Sequence, residues 1–123
     1  MLLLVFLLTG CTGAPAPSTL TDVQADIYTK SCAFSTCHGS GGGAQGLSLT
    51  DGNSYAATVG VPSSLDPSIN LVEPGDHANS FLWQKCANQS GITGIAMPSG
   101  SGGLDATHLA ELESWIDDGA QDN

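Results

Sequence analysis

Apolar residues recur at helical spacing near the start of the part of the chain that can pack. Val23 and Ile27 lie four residues apart and therefore share one side of a helix. Thr19 and Asp22 have the spacing of a capping box, in which each side chain bonds the backbone N–H of the other residue. The pattern predicts a first helix over positions 20–30.

The strongest amphipathic pattern lies near the carboxyl-terminal end. Asp105 is placed to cap a helix, and Gly119 is placed to end it. One face of that helix carries the large apolar side chains Leu109, Leu112, Trp115 and Ile116. Asp76 predicts a middle helix in the same way, running to about position 87. The expected fold class is mostly α, with three or so helices.

Long polar segments connect these helices. Positions 39–46 and 88–103 are rich in glycine and serine, and the sequence from 47 to 75 predicts short irregular segments. Only 19 of the 102 residues from 22 to 123 are Leu, Ile, Val or Phe. So few apolar residues favour a domain that is stabilised by a buried cofactor or by a disulfide.

The chain begins with an apolar run, MLLLVFLL, that is too short to span a bilayer and is typical of a secretory signal. The sequence LTGC at 8–11 resembles a bacterial lipobox, in which Cys11 becomes the lipidated first residue of the mature protein. No Lys or Arg precedes Cys11, which departs from the usual signal. The alternative is a simple cleaved signal that leaves a stray cysteine.

These features predict a signal peptide at 1–10, a flexible tether at 11–20 and one folded domain at 21–123. Lipid chains on Cys11 would hold the domain at a membrane surface. We therefore expect an exported protein of the bacterial cell envelope, on the periplasmic or outer-membrane face.

The chain is strongly acidic, with a formal net charge of −10 and only Lys30 and Lys85 as cations. This composition excludes nucleic acid as a partner, because phosphate binding needs a basic patch. An acidic surface could steer a basic redox protein towards the domain, or it could serve solubility alone.

Two cysteines and a histidine stand close together in the sequence CAFSTCH at 32–38. Each thiol can add to one vinyl group of a haem, and the imidazole of His38 can then reach the iron as an axial ligand. Four residues separate Cys32 from Cys37, whereas the usual attachment sequence has two. The alternatives are a disulfide pair or a zinc site, although no second pair of Cys or His has zinc-ligand spacing. Lys30 is the only cation near this motif along the chain.

The order of these features resembles a small monohaem c-type cytochrome of the kind found in secreted bacterial proteins, some of which share the four-residue spacer. The similarity covers about positions 22–120 and includes CHG (37–39), VEPGD (72–76), MP (97–98) and WIDDGA (115–120). It implies a cytochrome c-like fold around one haem c. By this resemblance Cys32 and Cys37 carry the thioethers. The same resemblance makes His38 the proximal ligand and Met97 the sulfur ligand on the opposite face of the iron.

Met97 also has a physical case of its own. It is the only methionine after the predicted signal, and Pro98 biases it away from helical geometry. The alternative is that Met97 fills a gap in the core. His77 and His108 are competing sixth ligands, but neither falls on an apolar face, so both are expected to be exposed to solvent.

Cys86 is left over once Cys32 and Cys37 are assigned to haem and Cys11 to lipid. An unpaired thiol is unusual in an oxidising compartment. A disulfide between Cys32 and Cys86, with haem attached through Cys37 alone, would resolve this and would also explain the long spacer.

The function expected from these features is single-electron transfer by a lipid-anchored haem domain, not enzyme catalysis. No catalytic grouping of Ser, His and Asp is assignable, and the acidic residues of the last helix are expected to solvate its outer face. One alternative is a non-haem lipoprotein that is held together by a disulfide and acts in binding or envelope structure. The other is a haem enzyme or gas sensor with an open or labile sixth position.

Overall fold

The computed structural model describes residues 15–41 and 43–123. The predicted signal peptide and the first residues of the predicted tether, Cys11 among them, lie outside these residues. The elements in chain order are helix α1 (Leu20–Val23), a π helix (Gln24–Cys32), a 3-10 turn (Ala44–Gly46), helix α2 (Ser54–Thr58), a 3-10 turn (His77–Asn79), helix α3 (Phe81–Cys86) and helix α4 (Ala106–Asp117).

The fold is mostly helical, as the sequence predicts. The described residues contain no β-strand, only two isolated bridges, between Val59 and Val72 and between Pro62 and Asn70. Within those same ranges, none of the helices has the length and apolar character needed to cross a membrane.

The amino-terminal helix begins where the capping box predicts. The hydroxyl of Thr19 accepts a hydrogen bond from the backbone N–H of Asp22, and the Asp22 carboxylate accepts one from the Thr19 N–H. The predicted helix ends at 30, but the observed one continues to Cys32 and widens to a π helix from Gln24. The backbone N–H of Ala33 completes this pattern by donating to Tyr28 O at 2.8 Å. Widened helical turns of this kind are common at functional sites.

The packed core lies between the amino-terminal helix and α4. Helix α4 has the predicted cap at Asp105, and Leu112, Trp115 and Ile116 of its predicted apolar face are buried, while Leu109 is partly buried. The two ends of the domain are also joined, because Thr21 N–H donates to the backbone oxygen of Asn123 at 2.9 Å. Both helices that the sequence pattern predicts most clearly therefore contribute to the core.

The prediction of one continuous middle helix from Asp76 is wrong. Asp76 caps only the short 3-10 turn, and the backbone at Ser80 is extended before α3 begins at Phe81. The Ser80 hydroxyl donates to Asp76 O at 2.9 Å and accepts from Glu73 N–H at 2.8 Å. Serine side chains that bond nearby backbone in this way compete with helix formation.

The segment from 47 to 75 is irregular, as predicted, except for the short helix α2. Gln24 connects this segment to the π helix. Its side-chain NH2 donates to Leu49 O at 2.9 Å, and its carbonyl accepts from the Ser54 hydroxyl at 2.6 Å. Backbone bonds around the two bridges, such as Leu71 N–H to Val61 O at 2.7 Å, fix the position of this segment against α3.

Candidate functional site

The loops and α3 enclose a cavity of about 470 Å³, which is within the usual range for cofactor and small-molecule sites. Three of the predicted haem-binding residues line it, Cys32, His38 and Met97, although they come from separate parts of the chain. Most of the other lining side chains are apolar, and they include Leu47, Leu49, Val61, Leu65, Leu71, Phe81, Leu82 and Ile95. The fold thus brings one nitrogen donor, one thioether sulfur and one thiol to a single, mostly apolar space.

Cys32 and His38 are held in place by the turn that follows the π helix. Cys32 is the last residue of that helix and is buried. The backbone N–H of His38 donates to Cys32 O at 3.0 Å, and the His38 carbonyl accepts from Leu49 N–H at 2.8 Å. These two bonds place the imidazole and the Cys32 thiol on the same side of the turn, at the cavity wall.

One nitrogen of the His38 ring is engaged by a backbone carbonyl. Its Nδ1 lies 3.3 Å from the carbonyl oxygen of Leu47, which can only accept a proton. In the neutral ring this contact makes Nδ1 the donor and leaves the lone pair of Nε2 free. A histidine ligand is usually oriented in this way by a backbone carbonyl at its other ring nitrogen.

Cys37 does not line the cavity. It is half-buried, and its sulfur lies 3.8 Å from the hydroxyl of Thr36. Its carbonyl accepts from Ala44 N–H at 2.7 Å, and a Cβ added at Gly43 would lie 2.1 Å from that carbonyl oxygen. The backbone beside Cys37 therefore requires glycine at position 43.

Met97 is held by the carboxyl-terminal end of α3. The last carbonyls of a helix have no partner within the helix. Here Lys85 O accepts from Met97 N–H at 3.0 Å, and Cys86 O accepts from Leu104 N–H at 2.8 Å. These two bonds fasten the loop 88–103 to α3 and bring the partly buried Met97 side chain to the cavity.

Lys85 also lines the cavity, although it is far along the chain from the cysteine motif. It is only 6% exposed, and its ammonium donates to Thr93 O at 3.0 Å. Burial lowers the pKa of this lysine, and the neighbouring Cys86 thiol opposes that shift. Lys30 is the only cation near the motif along the chain, but the fold also brings Lys85 to the cavity that Cys32 and His38 line.

The competing histidines lie away from the cavity. His77 was predicted to be exposed but is half-buried: its Nδ1 lies 2.8 Å from Asp117 Oδ2, and its ring packs edge-on against Trp83 with centroids 4.7 Å apart. His108, also predicted to be exposed, is only partly so, and it pairs with the Asp105 carboxylate at the start of α4. Neither imidazole is among the lining residues of the cavity.

Cys86 lies in the core beside Cys32, behind the cavity wall. Both belong to the same buried cluster, and Cys32, Cys37 and Cys86 are all thiols in this structure. Burial raises the pKa of Cys32 to about 11, with a smaller contribution from Cys37, and raises the pKa of Cys86 well above its usual value. Each thiolate would also raise the pKa of the buried Tyr28, whose hydroxyl has no hydrogen-bond partner among the described residues.

The acidic residues of α4 are less uniform than the sequence predicts. Glu113 accepts a hydrogen bond from Trp83 Nε1 at 2.9 Å. Glu111 is half-buried, and one of its carboxylate oxygens has no partner among the described residues. Burial raises the pKa of Glu111, and the nearby Asp26 adds to the effect. Neither carboxylate lines the cavity.

No protein-family model, curated protein or solved structure matches this chain. In residues 15–41 and 43–123, no group of three or more His, Cys, Asp and Glu is placed to hold a metal ion. The candidate site is therefore described by its own chemistry: a histidine nitrogen, a thioether sulfur, a thiol and an ammonium around an apolar cavity.

Sequence reasoning missed Lys85, Leu65 and Ile95 as site residues. Lys85 follows Phe81 by four residues, and this spacing puts both on one face of a helix, which is a signal that the sequence did contain. Leu65 and Ile95 come from loops without periodicity, so only the folded chain brings them to the cavity.

Proposed function

We propose that this domain binds one haem c in the cavity and transfers single electrons, as a cytochrome c-like protein. The observation that carries the proposal is the convergence of Cys32, His38 and Met97 on one apolar cavity. These residues are separated by up to 65 positions in the chain and share no helix. A methionine that only filled a gap in the core would not need to share its cavity with a histidine whose Nε2 is free.

The residues present fit such a cofactor. His38 would hold the iron through Nε2, because its Nδ1 is engaged with Leu47 O. Met97 would supply the sulfur ligand, and Cys32 would form a thioether. Cys37 is adjacent to His38 along the chain but does not line the cavity, unlike the other three proposed haem-binding residues.

A haem held in this way supplies reversible one-electron exchange at its iron. The protein's task is to keep both ligands in place and to exclude water from the iron. Apolar side chains around the cavity favour the less charged, reduced state and therefore raise the reduction potential. Leu65 and Ile95 line the cavity and are 37% and 59% exposed, so the cavity reaches the surface where a redox partner could approach.

The acidic surface supports a basic redox partner, and the predicted lipid on Cys11 would keep the domain at a membrane. Export to the bacterial envelope is part of the same proposal. The scarcity of cations supports the view that nucleic acid is not a partner.

One observation favours the disulfide alternative. Cys32 and Cys86 are both buried in one cluster. Cys32 raises the pKa of Cys86, and both cysteines raise the pKa of their shared neighbour Tyr28. Oxidation of these two thiols would leave Cys37 as the only attachment point for haem. The same disulfide would also stabilise the domain without haem, and a non-haem lipoprotein with a Cys32–Cys86 disulfide is the second candidate.

The intact mass of the full chain, produced in a host that forms haem thioethers, tests both candidates. We expect the mass of one haem in addition to the polypeptide and lipid, with peptide mapping that places it on Cys32 and Cys37. A colourless folded protein with no added haem mass and a Cys32–Cys86 disulfide would contradict the proposal.

Single cysteine variants refine the result. Cys86→Ser is the matched control, because it removes a buried thiol outside the predicted attachment motif and should retain the full haem content. Cys32→Ser should lower the haem content sharply or leave haem on Cys37 alone. Full haem content in Cys32→Ser, together with its loss in Cys37→Ser, would instead support attachment through Cys37 only.

A further inference from the structure

One charged group in the cavity has no role in holding the iron. The chain has two lysines and no arginine, and one of those lysines, Lys85, is buried at the wall of a mostly apolar cavity. A buried ammonium is costly unless it is paired and hydrogen-bonded. Lysine is therefore an unusual choice at this position unless a negative group faces it.

The position of the ammonium is well defined by its neighbours. Lys85 Nζ lies 5.6 Å from the ring centroid of Phe81, and it donates to Thr93 O at 3.0 Å. A Cβ added at Gly94 would lie 2.6 Å from Nζ, so this glycine leaves the space that the ammonium occupies. Phe81 and Gly94 both line the cavity, which places the charged end of Lys85 at its wall.

The ammonium is only partly satisfied by the protein. An ammonium has three donors, and within the described ranges Lys85 Nζ has one hydrogen bond and no carboxylate partner. The sequence outside those ranges, positions 1–14 and 42, contains no Asp or Glu. The other titratable residues of the cavity lining are Cys32 and His38, and the Cys86 thiol lies nearby. None of them has a carboxylate, so the cavity lining offers the ammonium no carboxylate partner.

We propose that the ammonium of Lys85 binds a carboxylate of the cofactor and thereby sets which way the cofactor lies in the cavity. This inference rests on the proposed haem function, because a haem carries two propionate carboxylates on one edge. An ion pair with a buried lysine would place that edge towards Phe81 and the loop containing Gly94.

A carbodiimide experiment on the haem-loaded full chain tests this contact. The reagent activates a carboxylate, and an amine in contact with it forms an amide with loss of water. We expect a proteolytic haem peptide joined to the Lys85 peptide and lighter than the two together by one water. Lys30 is the matched control, because its exposed amine lies 3.0 Å from Asp26 and should link to that carboxylate instead.

A Lys30–Asp26 amide without any haem–Lys85 product would overturn the inference while leaving the proposed function intact. A wild-type protein without haem mass would remove both. The two failures are therefore distinguishable in one mass spectrum.

The reduction potential gives a second readout. Lys85→Met should lower the potential, because loss of a nearby cation favours ferric over ferrous iron. Lys85→Arg keeps the charge and should restore the wild-type potential, and Lys30→Met should not change it. Equal potentials in Lys85→Met and Lys30→Met would contradict the proposal. If Lys85→Met does not mature, the carbodiimide result on the unmodified protein decides.

Discussion

The two halves of this domain are built differently. Between the amino-terminal helix and α4, apolar side chains pack at regular helical spacing, and Val23, Leu112 and Ile116 are fully buried. On the other side, the walls of the cavity come mainly from loops and short elements: α3, the end of the π helix, Ala57 of α2 and the 3-10 turn Ala44–Gly46. Leu65 and Ile95 of those walls remain largely in contact with solvent.

The difference indicates where the domain obtains its stability and where it has its chemistry. The packed half buries its own apolar surface, whereas the cavity half presents ligand donors and apolar side chains to an open space. Functional groups are commonly carried on loops that a rigid scaffold positions. Here the scaffold is the packed half, and its helix α4 also holds a loop, because Ile116 O accepts from Gly75 N–H at 2.7 Å.

The largest expected effect is in the packed half. Trp115 is 1% exposed, and its indole N–H donates to Gln121 O at 2.9 Å. Trp115→Ala should lower the free energy of unfolding by about 3–5 kcal/mol, as large core truncations do. Urea denaturation measures this. Phe34→Ala is the control, because Phe34 is 52% exposed and its loss should change stability by about 0.5 kcal/mol or less. Equal losses in the two variants would contradict the distinction between the halves.

An intermediate effect is expected in the cavity half. Met97→Leu keeps the side-chain volume, so the cost in stability should stay below about 1.5 kcal/mol. The iron should nevertheless lose its sulfur ligand, and the ferrous protein should then bind carbon monoxide, as its absorption spectrum would report.

The control for Met97 is Ile95→Leu, which changes another lining residue of the same loop and should leave the spectrum unchanged. A wild-type protein that already binds carbon monoxide readily would favour the haem enzyme or sensor. An unchanged spectrum in Met97→Leu would remove Met97 as the ligand.

The smallest effect concerns the start of α4, where His108 and Asp105 pair at the surface. The hydrogen bond from His108 raises the pKa of this histidine above 6.5, and the same contact lowers the pKa of Asp105. A histidine whose pKa is raised in the folded state stabilises that state fully below 6.5, and the contribution is lost as the pH rises through the raised value.

Urea midpoints of the wild type and His108→Gln, taken well below and well above pH 6.5, measure this contribution. At the lower pH the wild type should be more stable than His108→Gln, and this difference between the two proteins should shrink at the higher pH. Because both side chains are largely exposed, the effect is small. A difference that does not change with pH would show that the pair adds nothing.

The elements that depend on local patterns were predictable. The Thr19–Asp22 capping box and the α4 face followed from short-range spacing, because helical periodicity is a local property of the chain. The break at Ser80 was not predictable in this way, since it depends on bonds from its hydroxyl to Asp76 and Glu73. The π form of the first helix likewise had no sequence signal.

The candidate site divides along the same line. The sequence by itself determined that Cys32, Cys37 and His38 are neighbours and that Met97 lies in a loop next to proline. Only the tertiary structure decided that Met97 and Lys85 line the same cavity as His38, and that Cys37 does not. The physical reason is that helix periodicity is written in adjacent residues, whereas a cavity is made by long-range backbone bonds, such as Met97 N–H to Lys85 O, that no local pattern specifies.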